Sequence, residues 1–187
     1  MKSRNTTMDR KTDGRRSLFS WLGIFGVGIL LLAPRITLAE RSIYTSLEKK
    51  CRNTTYHRQP VRECTGVQGW RLLVVPEAER SYLVLKRQGY VKSLRDDIFS
   101  EKIGQFPEIP AITRPEWRLG SQGRLRALIF RVIAVDPEKS LQEDPNPYKS
   151  SLLVVRLGQT ACVLGVANNN NSARLLADSN AVCEKGP

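Results

Sequence analysis

The longest strand signal in this chain is RLRALIFRVIAV, residues 124–135. It begins with alternating polar and apolar residues and becomes almost wholly apolar, which is typical of a central strand covered on both faces. A buried helix is the alternative, but the β-branched content and the Asp136-Pro137 stop that follows favour a strand. We therefore predict that this segment lies inside a β-sheet.

Shorter apolar runs surround this segment. Residues 70–75 and 80–86 are separated by a short polar turn, which predicts an antiparallel hairpin. Residues 152–157 and 161–167 predict a second hairpin around Gly158 and Gln159. Residues 116–119 form a short strand candidate, closed by a glycine-containing loop at 120–123.

A short helix is predicted at the end of the chain. Residues 168–171 are asparagines suited to an N-cap, and Ala173, Leu176 and Ala177 recur at helical spacing within residues 172–178. The connecting segments have weaker patterns. We predict a turn or one helical turn at residues 42–50. Residues 92–110 are predicted to be an irregular connection that contains one helical turn near 94–99. Residues 136–150 are predicted to be a solvated loop. The fold class is α+β, mainly antiparallel sheet with a short C-terminal helix packed on it.

The four cysteines are predicted to form two disulfides. Sequence alone permits three pairings. Spacing favours Cys51 with Cys64, which bracket a polar segment, and Cys162 with Cys183, which would clamp the terminal helix to the preceding strand. No Cys-x-x-Cys motif is present, so structural disulfides are a better interpretation than redox, haem or zinc chemistry.

The N-terminal segment has the pattern of a signal peptide. A basic region precedes 16 mostly apolar residues, 18–33, and Thr37-Leu38-Ala39 offers a small residue at a cleavage position. We predict a signal peptide over residues 1–39, cleaved after Ala39, and one domain over 40–187. An uncleaved membrane anchor is the alternative, although the apolar run is shorter than the roughly 20 residues that span a bilayer.

The chain is basic throughout its length. Its net charge is +12, and because seven of the Lys and Arg residues and two of the Asp and Glu residues lie in the first 39 positions, residues 40–187 carry +7. Such a charge favours salt-sensitive contacts with anionic lipid, lipopolysaccharide or acidic glycan, or serves only solubility. Nucleic acid is not expected as a partner, since zinc-finger spacing, RNP-like motifs and dense basic blocks beyond the N-terminal segment are missing.

Few residues stand out as candidate catalytic or metal-binding groups. His57, the single histidine, cannot be tied to a nucleophile, so a surface histidine is the better interpretation. Asp96 and Asp97 are adjacent and would point in different directions, which indicates a solvated turn. The acidic residues at 136–144 do not follow a calcium-loop pattern. We predict no catalytic residue, no metal site and no cofactor.

Two Trp-Arg pairs are the candidate binding surface. They are Trp70-Arg71 and Trp117-Arg118, and tryptophan and arginine dominate binding hot spots. Burial of both tryptophans in the core is the alternative, which their strand-like surroundings favour.

Several segments of the chain resemble a known family. They are Tyr44-Thr45-Ser46-Leu47 before Cys51, Cys64-Thr65-Gly66, Glu116-Trp117-Arg118, residues 153–157, Cys162, and Ala173-Arg174 with Ala177-Asp178 before Cys183. With these segments the chain resembles an uncharacterised family of small exported four-cysteine proteins of Gram-negative bacteria. The resemblance implies export and a shared four-cysteine framework, and it implies no activity. The polar stretch before Cys183 is shorter here than in the family.

These observations favour a non-enzymatic periplasmic or secreted binding protein. Its expected partner is an anionic envelope component or another envelope protein. A hydrolase-type enzyme whose site is built from separated loops is one alternative. A membrane-anchored accessory subunit is another, and it requires that the N-terminal segment be retained.

Overall fold

The computed structural model describes residues 41–100 and 102–183, so the predicted signal peptide lies outside the described residues. Within these ranges the chain forms eleven strands and three short helices. In chain order they are β1 (Arg41–Tyr44), β2 (Cys51–Tyr56), β3 (Gln59–Thr65), β4 (Arg71–Glu77), β5 (Arg80–Arg87), β6 (Tyr90–Ser93), α1 (Arg95–Ile98), β7 (Gln105–Glu108), β8 (Glu116–Leu119), β9 (Leu125–Val135), α2 (Pro137–Leu141), β10 (Tyr148–Leu157), β11 (Ala161–Ala167) and α3 (Asn170–Asp178).

The strands form two antiparallel sheets. The meander sheet has the order β2-β3-β4-β5-β6, in which each strand pairs with its successor in the chain. The central sheet has the order β1-β8-β9-β10-β11, and β7 pairs with the second half of β9. The predicted fold class is confirmed: the structure is mainly antiparallel sheet with a short C-terminal helix on it.

Strand β9 is covered on both faces, as its sequence predicts. Alternate residues of a strand point to opposite faces, so Leu128 and Phe130 lie in one core together with residues of the meander sheet. Ala127 and Ile129 lie in a second, smaller core together with residues of α3. The central sheet is therefore the middle layer of three.

Helix α3 is capped at its N-terminus and fixed to the central sheet at its C-terminal end. The Asn169 side chain caps the N-terminus by accepting a hydrogen bond of 2.9 Å from the Ser172 backbone N–H. Beyond the C-terminus, the predicted Cys162–Cys183 disulfide is present. Arg156 donates to the backbone carbonyls of Ala177, Ser179 and Ala181, which leaves these buried or terminal acceptors satisfied.

Three connecting segments contain more regular structure than predicted. Residues 41–44 form β1 instead of a turn, because their backbone pairs with β8. The segment at 92–110 contains the end of β6 and all of β7 as well as the predicted helical turn, α1, and the loop at 136–150 contains α2 and the start of β10. The polar segment between Cys51 and Cys64 is a hairpin, in which the two cysteines are directly opposite and form the predicted disulfide.

The helices of the described residues are short. None of them has the length and apolar character needed to cross a membrane.

Replacing Gly66 with alanine is expected to destabilise this packing. A Cβ at Gly66 would lie 2.6 Å from two atoms of the Trp117 ring and 2.8 Å from the Trp70 carbonyl oxygen. Neither neighbour can move freely, since the ring is buried and the carbonyl belongs to the backbone, so we expect a loss of about 1–3 kcal/mol in the free energy of unfolding. Urea denaturation measures this loss.

Gly120→Ala is the matched control for this substitution. Its added Cβ would meet nothing closer than 3.6 Å, the Cδ of Arg126. We expect a change within about 0.5 kcal/mol. Equal losses in the two variants would contradict the proposed packing of Gly66 against Trp117.

Candidate functional site

A groove lies at one end of the two sheets, where four strand connections meet. They follow β3, β5, β8 and β10, and they lie at the same end because neighbouring strands run in opposite directions. The groove has a volume of about 500 Å³. We refer to it as the loop-end groove; its lining residues are Gln68, Trp70, Arg87, Gln88, Tyr90, Arg124, Leu125, Leu157, Gly158 and Gln159.

Side chains tie these connections together across the two sheets. The Gln68 side-chain amide donates to the Gly123 carbonyl at 2.8 Å and accepts from the Leu125 N–H at 3.3 Å. The Tyr90 hydroxyl accepts from the Ala161 N–H at 2.7 Å. The walls of the groove therefore belong to one hydrogen-bonded unit, which limits the reorganisation needed for binding.

The loop-end groove is electrostatically positive. Arg87 and Arg124 are exposed, and neither forms an ion pair with any carboxylate in the described part of the chain. The remaining polar side chains of the lining are three glutamine amides and a tyrosine hydroxyl, so no acidic residue offsets the two guanidinium groups. Such a site favours anionic ligands that also form hydrogen bonds.

Trp70 lies in the wall of this groove. It is 1% exposed, its ring meets the Tyr90 ring edge to face at 6.0 Å, and the Arg87 guanidinium lies 5.7 Å from its centroid. Its Nε1 is buried and has no hydrogen-bond partner. A buried indole N–H normally has an acceptor, so this donor is an exception among the buried polar groups of the described residues.

The other members of the two Trp-Arg pairs lie elsewhere. Trp117 is fully buried and donates from Nε1 to the Thr45 hydroxyl at 2.8 Å. Arg71 donates to the Thr65 hydroxyl at 2.9 Å. Burial of both indoles agrees with the core interpretation of the tryptophans, and only Trp70 contributes to the loop-end groove.

The remaining candidates do not assemble into a reactive site. His57 lies in the turn between β2 and β3, at the end of the meander sheet opposite the groove, and its ring contacts that of Tyr56 at 4.2 Å. Asp136 caps α2 by accepting from the Glu138 N–H at 3.1 Å. Among residues 41–100 and 102–183, no group of three or more His, Cys, Asp or Glu side chains is placed to hold a metal ion.

Arg118 belongs to a buried charged network that joins β1, β8 and α3. Its guanidinium donates to both carboxylate oxygens of Asp178, at 3.0 and 2.5 Å, and to the Ser42 hydroxyl at 2.6 Å. The neighbouring Glu116, 6% exposed, accepts from Arg174 at 2.8 and 3.1 Å and from Ser42 at 2.5 Å. Arg118 therefore holds α3 against the sheet, and its side chain is buried instead of lying on an exposed binding surface.

The environment of Glu116 shifts its pKa. Burial raises the pKa of this carboxyl, but the hydrogen bonds from Arg174, Ser42 and Tyr44 and the positive charge of Arg174 together outweigh burial and hold the pKa below its ordinary value. Ionised Glu116 therefore stabilises the fold. This stabilisation is complete above about pH 4.3, the value of an unfolded glutamate, and is lost as the pH falls through the lower folded-state pKa.

Glu116→Gln is expected to remove this contribution. We expect the variant to lose about 1–3 kcal/mol of unfolding free energy at neutral pH, because the buried Arg118 and the half-exposed Arg174 lose this counter-charge. The difference from the native chain should shrink below about pH 4.3, as measured by urea denaturation across a pH series. Glu79→Gln, at an exposed position, is the control; a pH-independent deficit for Glu116→Gln would refute the assigned pKa shift.

Known proteins offer no relative from which a function can be carried over. No protein-family model, no curated protein and no solved structure matches this chain.

Proposed function

We propose that this chain is an exported binding protein whose loop-end groove takes an acidic glycan of the cell envelope. The observation that carries the proposal is that Arg87 and Arg124, which have no ion-pair partner among the described residues, line a groove whose described lining has no acidic residue. The volume of about 500 Å³ is within the range typical of small-ligand sites.

An acidic glycan matches the composition of the lining. A guanidinium group binds a carboxylate through two parallel N–H donors, and an acidic sugar carries such a carboxylate. Gln68, Gln88 and Gln159 can each donate to and accept from sugar hydroxyls.

The lining favours binding over catalysis. It contains no serine, cysteine, histidine or carboxylate that could act as a nucleophile or general base, and its tyrosine hydroxyl is engaged by the Ala161 backbone. The groove therefore supports a binding protein better than it supports the hydrolase alternative.

Two features support the export part of this proposal. The four cysteines form two disulfides, which persist mainly in oxidising compartments outside the cytoplasm. Residues 1–39 also have the charge and hydropathy pattern of a signal peptide. A net charge of +7 on residues 40–187 would favour association with an anionic envelope.

Export can be tested by intact mass. Protein recovered from the periplasmic fraction of producing cells is expected to begin at Glu40. Its mass should be lower than that of its fully reduced form by two hydrogen atoms for each disulfide. A membrane-bound species that keeps residues 1–39, or one with free thiols, would contradict export as a processed protein and would favour the anchored alternative.

Binding can be tested with a defined acidic polysaccharide. We expect polygalacturonate to bind in isothermal titration calorimetry at low salt, and dextran, a neutral polysaccharide, not to bind. The affinity should fall as salt is raised, because the contact is partly between exposed charges. The double variant Arg87→Gln with Arg124→Gln should lose at least about tenfold in affinity.

The matched control removes the same charge at the other end of the molecule. Arg58 follows β2 and Lys139 lies on α2, so Arg58→Gln with Lys139→Gln changes the net charge equally without touching the groove. We expect this double variant to bind nearly as well as the native chain. Equal losses in the two double variants would show a response to overall charge and would refute a specific site.

A further inference from the structure

A second groove lies on the α3 side of the central sheet. It has a volume of about 330 Å³ and is bounded by α3, by the connection between β7 and β8, and by β1. Its floor is formed by Ile133, which is half-buried, and by the edges of Ile129 and Leu152, which are only 3% and 5% exposed beside α3. We refer to it as the helix-side groove. It shares no lining residue with the loop-end groove.

Three arginines line the helix-side groove above its apolar floor. Arg174 is engaged with Glu116 and with the Tyr44 hydroxyl, to which it donates at 2.8 Å. Arg114 is exposed and lies 5.8 Å from the centroid of the Tyr44 ring. Arg131 is exposed and donates to the Ser150 hydroxyl. Neither Arg114 nor Arg131 has an ion-pair partner within the described ranges.

The one carboxylate of this groove cannot balance the three arginines. Glu116 already accepts from Ser42 and Arg174, and Arg118 lies 3.5 Å away. The groove therefore has uncompensated positive charge beside an apolar surface. This combination fits an anion that carries an apolar chain.

Two further groups in the wall point to an occupant. The hydroxyl of Thr113 is buried and has no hydrogen-bond partner, which is unusual for a buried polar side chain. The adjacent Ile112 is 79% exposed at the rim, where an apolar ligand would cover it. Both residues belong to the β7–β8 connection, which faces the arginine of α3 across the groove.

We propose that the helix-side groove binds one free anionic amphiphile. The acyl chain would lie on Ile133 and against Ile112 at the rim. The carboxylate or phosphate head would contact Arg114 and Arg131. A free molecule fits better than a bilayer surface, because the groove has a volume of only about 330 Å³ and is bounded on two sides by α3 and the β7–β8 connection. The occupant is distinguished from an acidic glycan by its apolar chain.

Calorimetry with small defined probes tests this assignment on the protein recovered from producing cells. Sodium decanoate, below its micelle concentration, is expected to bind with a stoichiometry of one. Acetate has the head group without the chain, and decyl maltoside has the chain with a neutral head, so neither should bind detectably. Polygalacturonate should not compete with decanoate, since the two grooves are separate. This competition experiment makes the decanoate result independent of the proposed glycan site.

Two variants locate the decanoate site. Arg114→Gln and Arg131→Gln should each weaken decanoate binding about tenfold, because each removes a charged hydrogen-bond donor. Arg58→Gln, at the far turn of the meander sheet, should leave the affinity unchanged. Thermal unfolding of each variant checks the fold, and if Arg131→Gln fails to fold, Arg114→Gln on its exposed connection decides the question.

Four results would overturn the proposal. They are absence of decanoate binding, equal binding of decyl maltoside, unchanged affinity in both arginine variants, and binding only to phosphatidylglycerol-containing vesicles. The last result would identify a membrane surface as the partner in place of a free amphiphile. Loss of polygalacturonate binding alone would leave this site standing and would refute only the glycan proposal.

Discussion

The structure depends on the need to bury both faces of β9. A strand that is apolar on both sides loses stability if either side meets water, since each exposed large aliphatic side chain forgoes about 1.5–3 kcal/mol. The meander sheet covers the face that carries Leu128 and Phe130, and α3 covers the face that carries Ala127 and Ile129. The three layers follow from this one strand, and both grooves lie where a covering layer ends.

Helix α3 is too short to form without the rest of the protein. Isolated helices of fewer than about 12–15 residues are marginal in water, and α3 has nine. Its buried contacts are mostly through Ala173 and Ala177, which bury little area but let the helix approach the sheet closely. Three other interactions hold the helix on the sheet where the small alanines contribute little contact area. They are the Cys162–Cys183 disulfide, the Arg156 hydrogen bonds and the Arg118–Asp178 ion pair. The helix-side groove therefore depends on a helix that is held mainly through its C-terminal end.

The sequence predicts those parts of the fold that have a strong local pattern, and it does not predict those that depend on how distant strands come together. Periodicity and β-branched content identified β9 and the hairpins of β4–β5 and β10–β11, and spacing identified both disulfides. The hairpin between Cys51 and Cys64 was missed because its strands are polar, and β1 was missed because four residues carry too little periodicity. The grooves could not be predicted, since Arg87 and Arg124 come together only once the strands are placed in two sheets. The Trp-Arg pattern identified Trp70, which lines the loop-end groove, but it could not show that the side chains of Trp117 and Arg118 are buried.

The pattern of ion pairing separates structural arginines from the rest. Glu63, buried in the meander sheet, is surrounded by Arg52, Arg71 and Lys86, at 2.9 to 3.9 Å. Glu116 likewise has two arginines within 3.5 Å. Each of these two buried carboxylates thus lies near more than one basic side chain, and removing those partners would leave a buried charge uncompensated.

The arginines of the two grooves do not fit that structural use. Arg87 and Arg124 in the loop-end groove, and Arg114 and Arg131 in the helix-side groove, have no carboxylate partner in the described part of the chain although acidic residues remain exposed elsewhere. Solubility requires only that charge be spread over the surface, and it does not require unpaired guanidinium groups in concave sites. Concave walls of low dielectric concentrate their field, so these four charges act most strongly on whatever enters the grooves.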